Sequence, residues 1–110
     1  MQDLIVALRQ ERTTLKELIR DLQTRGKNKS EAERQYRMAK AALMRIERAE
    51  GTPVTIIADL VAGDKKIADL KSQRDEAEMM YEACLQAIYA TKLEINIIMQ
   101  LIGMEHNIPD

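Results

Sequence analysis

The sequence predicts an all-α protein of two long heptad-patterned helices joined by a short helical elbow, and three observations carry that prediction. Leu4, Leu8, Glu11, Leu15, Leu18 and Leu22 alternate spacings of four and three, the seam of a coiled coil. The same alternation runs unbroken through Ile67, Leu70, Arg74, Ala77, Tyr81, Cys84, Ile88, Thr91, Ile95, Ile98 and Ile102. The apolar content comes from Leu, Ile, Ala and seven Met, with three Tyr, no Phe and no Trp, as in helix bundles.

The first long helix is expected over residues 2–49. Counting past Leu22 gives Arg25, Lys29, Ala32, Tyr36, Ala39, Leu43 and Ile46, so the apolar phase resumes without a shift after a polar stretch, and Ile5 and Ile19 widen the stripe. Gly26 and Asn28 argue the other way, because glycine costs about 1 kcal/mol inside a helix. A break near residue 26 is therefore the alternative. The elbow, residues 53–62, has Thr52 as its expected N-cap, Pro53 at the first helical position and Gly63 beyond its last turn. Asp64 is expected to cap the final helix, residues 65–102, with Gly103 and Pro109 closing a short frayed tail.

The 110 residues suit one domain. Two long helices about an elbow fold back most simply as an antiparallel coiled-coil hairpin. Met80, Leu85, Met99 and Leu101 lie outside the narrow seam, and burying them calls for a second copy and a homo-oligomeric bundle.

Cys84 is the only cysteine, so no internal disulfide can form. The N-terminus shows no basic segment leading into an apolar run, and no stretch of about 18 apolar residues occurs, so neither secretion nor a membrane contact is expected. A cytoplasmic location is the default. Residues 1–50 hold 12 Lys/Arg against 8 Asp/Glu, and residues 51–110 hold 5 against 10. Complementary flanks packed together explain that asymmetry; a basic face for nucleic acid is the rival explanation.

Three stretches point to a family setting: Ala32-Glu33 with Tyr36-Arg37 and Ala39; the elbow Gly51-Thr52-Pro53-Val54-Thr55-Ile56-Ile57 with Asp59-Leu60; and Gly63-Asp64, Ile67-Ala68, Leu70, Arg74-Asp75, Ala77-Glu78 and Tyr81. Together they resemble small helical accessory proteins of phages and prophages of Gram-positive bacteria, over residues 30–100. The resemblance implies an accessory protein working in the host-cell cytoplasm, and it brings no binding or catalytic residues. Such proteins occupy a host protein, including defence nucleases as anti-CRISPR-type inhibitors do, or assist phage DNA replication and recombination.

A nucleophile needs a base within reach and a third group to orient it. His106 falls in the expected tail, and Cys84 sits on the seam, where a small apolar side chain packs well. Asp75, Glu78 and Glu82 share a helical face but lack the paired ligand spacing of metal proteins, and no glycine belongs to a phosphate loop. No catalytic site, metal or cofactor is therefore expected. Two candidate binding sites stand out. Arg20, Arg25, Lys27 and Lys29 form the most basic stretch, able to track a phosphate backbone but without interleaved aromatics for base stacking. Arg74 is a guanidinium on the seam, and folding about residue 57 brings it toward Tyr36 and Arg37, with Tyr81 one to two turns on. Those four residues would line a cationic niche for an acidic partner side chain or a small anionic, nucleotide-like ligand; a polar interruption fixing helix register is the alternative. The expected function is non-catalytic binding of a host or phage protein, with nucleic-acid accessory and ligand-sequestering oligomer as alternatives.

Overall fold

A computed structural model describes residues Met1–His106 and is helical almost throughout: α1 spans Gln2–Ala49, α2 Val54–Gly63 and α3 Lys65–His106. Pro109 lies outside the described residues. No described helix is long and apolar enough to cross a membrane. α1 passes through Gly26 without interruption. The chain divides into two compact units, Arg25–Tyr81 and Met1–Thr24 with Glu82 onward.

In the Arg25–Tyr81 unit the elbow is built from chain-reversal chemistry. α1 is closed off two residues past Ala49 by Gly51, whose φ of +82° is the left-handed conformation that glycine adopts without a Cβ penalty. The Gly51 N–H donates to Arg48 O at 3.1 Å and the Thr52 N–H to Glu47 O at 3.0 Å, the paired bonds of a Schellman motif. Thr52 does not cap α2 as expected. Its hydroxyl donates instead to Glu47 Oε2 at 2.7 Å, and Pro53 takes the N-cap position with no side-chain bond. Gly63 is the last residue of α2, and extended Asp64 follows it. Asp64 then caps α3: its Oδ1 accepts from the Ile67 N–H at 3.1 Å while its carbonyl accepts the first helical bond from Ala68 at 2.9 Å.

Ten residues are too few for a stable isolated helix, so α2 depends on what it buries. Ile57 and Val61 are 2% and 1% exposed and pack with Tyr36 and Ile67, flanked by Ala39, Leu43, Met44 and Leu70. Burying two such side chains contributes about 1.5–3 kcal/mol each. The cluster also corrects one seam position. The buried arc of α1 takes in Met44, which packs against the cluster, and half-buried Glu47, whereas Ile46, expected on the seam, is 52% exposed.

In the other unit, residues 2–24 of α1 run antiparallel to residues 82–106 of α3, as the contacts at both ends show. Cys84 Sγ donates to Leu18 O at 3.3 Å, and the Met1 ammonium meets Glu105 Oε2 at 2.8 Å. Cys84, Ile88, Thr91 and Ile98 are buried, and Leu4, Leu8, Leu15, Leu18 and Leu22 are half-buried. The Thr91 hydroxyl is satisfied by Ala87 O at 2.8 Å, which lets a polar residue occupy the seam. α3 continues through Gly103 to His106, so residues 103–106, expected in a frayed tail, are helical.

Candidate functional site

Of the four niche residues, the fold joins Arg74 to Tyr36 and sends the other two elsewhere. The Arg74 guanidinium carbon lies 4.6 Å from the Tyr36 ring centroid, a cation–π stack. Its Nη2 meets Asp75 Oδ1 at 2.9 Å and its Nε meets Glu33 Oε2 at 3.5 Å. The Asp75 hydrogen bond pushes the guanidinium further above its ordinary value, with Glu33 acting in the same direction. Arg37 points to solvent and pairs with Glu33 at 2.6 Å. Tyr81 is stacked by Lys29, whose Nζ is 4.6 Å from its ring centroid, and a Cβ at Gly26 would sit 3.6 Å from Tyr81 Cε2.

These contacts leave a shallow cleft of about 350 Å³ lined by Lys29, Glu33, Arg74 and Glu78. Two cations face two carboxylates there, so an entering anion would meet Glu33 and Glu78 as well as Lys29 and Arg74. The cations already have partners, which weakens the case for a small anionic ligand.

The basic stretch is likewise dispersed. Lys29 is half-buried on Tyr81 and Arg25 is half-buried, whereas Lys27 is exposed. Arg20 is exposed and belongs to the other unit. Among the described residues no three Asp, Glu, His or Cys side chains gather where they could hold a metal ion.

The feature the sequence reading missed is a groove on the Arg25–Tyr81 unit. A cleft of about 240 Å³ is lined by Ala39, Ala42, Leu43, Ile46, Asp64, Lys66 and Ile67. A second, of about 380 Å³, is lined by Arg34, Gln35, Met38, Ala39, Lys66 and Leu70. The two meet at Ala39 and Lys66. The floor is made of small and branched apolar groups, Ala39, Ala42, Leu43, Ile67 and Leu70, and Met38 and Ile46 rise at its edges, 58% and 52% exposed.

At about 100° per residue, Ala42 and Met44 lie on nearly opposite flanks of α1, and the groove is lined by residues of α1, α3 and Asp64, with none from α2. From Arg34 to Ile46 it extends about 18 Å, roughly three helical turns. Its rim is charged. Arg34 is held by Glu31 at 2.8 Å and also donates to Met38 Sδ at 3.2 Å. The Arg34 and Gln35 hydrogen bonds hold the Glu31 carboxyl down at about 2. Asp64 spends one carboxylate oxygen on the α3 cap. The signal available in the sequence was the pairing of Ala39 and Ala42, small residues that leave space between larger neighbours.

Comparison of the chain with protein-family models, with curated proteins and with solved structures finds no match.

Proposed function

We propose that this chain is a non-catalytic phage accessory protein that acts by binding a helical segment of a host or phage protein, with inhibition of a host defence protein as the most concrete form. The observation that carries the reading is the three-turn apolar groove with Arg34 and Lys66 on its rim. A groove between two helices with an apolar floor suits an amphipathic helix, which docks apolar residues at i, i+3, i+4 and i+7 spacing. Arg34 is already taken by Glu31, so Lys66 is the rim cation that suits an acidic residue on the docking segment. Met38 adds an unbranched, polarisable side chain able to adapt to differently shaped partners. The resemblance to phage and prophage accessory proteins supports the setting.

The test uses Met38→Glu/Ile46→Glu, two exposed positions where charge leaves the core untouched. Immobilised parent and variant, matched in helicity by circular dichroism, are exposed to lysate of a Gram-positive bacterium. The parent is expected to retain a protein that the variant releases, with retention weakening as salt rises. Retention of the same proteins by both chains refutes the groove as the binding site.

A further inference from the structure

In the unit formed by Met1–Thr24 and Glu82 onward, α3 carries a second apolar face that its own chain does not cover. Tyr89, Leu93, Ile97 and Leu101 follow one another at four-residue spacing, and Met104 completes the row one turn later. At about 100° per residue their mean direction is nearly opposite to the seam of Cys84, Ile88, Thr91 and Ile98. They are 56%, 61%, 41%, 42% and 65% exposed. We infer that this face is an interface between two copies of the chain, paired through α3 in the same direction.

The occupant follows from area, ridge geometry and charge. A large side chain presents on the order of 200 Å² when free, so five at these exposures leave roughly 500 Å² of apolar surface in water. The largest patch on a typical monomer is about 300–600 Å², so this single helix face already reaches the upper part of that range. A standard interface hides about 800 Å² per partner, about 60% of it apolar, and one such stripe on each copy supplies that apolar share.

A row spaced by four is also the i±4n ridge of a helix surface. The commonest helix–helix packing, with axes crossing at about −50°, sets two such ridges into each other's grooves. A second copy meets that requirement automatically, because both sides present the same ridge.

Charge then selects the orientation. Between Leu85 and Met104 the only charged residues are Lys92 and Glu94, which flank Leu93 at about 100° on either side and so border the stripe with opposite signs. Around a two-fold axis with the α3 helices running the same way, the Lys92 edge of one copy faces the Glu94 edge of the other, twice. Opposed directions would place like edges together. The interface and the groove belong to different units, and each can fail alone.

Sedimentation of the full chain at micromolar concentration is expected to give twice the 12.6 kDa chain mass. Leu93→Glu/Ile97→Glu, at exposed positions, is expected to weaken association by at least roughly 100-fold with helicity retained, since charge at an interface centre is among the costliest changes. Met38→Glu/Ile46→Glu is expected to remain dimeric. Lys92→Glu is expected to weaken association several-fold, and Lys92→Glu/Glu94→Lys to restore it. A monomeric parent, or a Leu93→Glu/Ile97→Glu chain that still dimerises, overturns the interface. If Lys92→Glu leaves association unchanged, the same-direction pairing is overturned.

Discussion

Replacing Gly26 by alanine should stabilise this protein, while the same replacement at Gly51 should destabilise it. Gly26 lies inside α1 with ordinary helical backbone, where glycine costs about 1 kcal/mol relative to alanine because more backbone freedom is lost on folding. The added Cβ would meet Tyr81 Cε2 at 3.6 Å, ordinary van der Waals contact, so no steric term offsets the gain. A gain of about 1 kcal/mol corresponds to a rise of about 4 °C in Tm for a chain of this size. At Gly51 no atom lies within 4 Å of an added Cβ, but the φ of +82° is strained for any side chain. Alanine there should cost about 1–2 kcal/mol and lower Tm by a similar or larger amount. Thermal and urea unfolding followed by far-ultraviolet circular dichroism reads both. The reasoning is refuted if Gly26→Ala lowers Tm, because that is the behaviour of a glycine at a chain break rather than within a continuous helix.

Arg74→Leu should leave Tm within a few degrees of the parent. The leucine keeps contact with the Tyr36 ring, Glu33 keeps Arg37, and Asp75 is exposed, so no carboxylate is left buried without a partner. Binding should also survive; loss of binding in a stably folded Arg74→Leu chain would instead restore Arg74 and Tyr36 as a recognition site. Acid should erase a small contribution from Glu31, whose folded carboxyl is lowered from 4.5 to about 2 by Arg34 and Gln35. The sign follows from linkage: the contribution is complete above pH 4.5 and is lost as pH falls through about 2. Melting curves across that window should show the parent above Glu31→Gln at neutral pH, with the gap closing at the acid end and shrinking with salt. A gap that widens on acidification contradicts the assignment.

The sequence by itself determined the helices, because their signals are local and periodic. Asp64 could be named as a cap, since an N-cap needs only a short polar side chain and a helical run after it. The unbroken heptad phase across Gly26 outweighed the glycine, because a seam residue every three or four positions is worth more than one propensity penalty. Every seam position of α3 is at least half-buried for the same reason. Thr52 was misread, since a cap and a bond to Glu47 use the same hydroxyl and only the elbow's geometry chooses between them.

The tertiary structure alone decided which charged side chains meet and which apolar ones are left over. Folding about residue 57 already brings Arg74 toward Tyr36, but that Lys29 takes Tyr81 is set by how the helices face one another. Ala39 and Met44 both pack against the core cluster that holds Ile57 and Val61 of α2, and the Ala39 and Ala42 side opens as a groove that no α2 residue lines. Tyr89, Leu93 and Ile97 were equally hidden. A helix with apolar residues on two faces can be assigned a buried side only when the partner that covers one of them is in place.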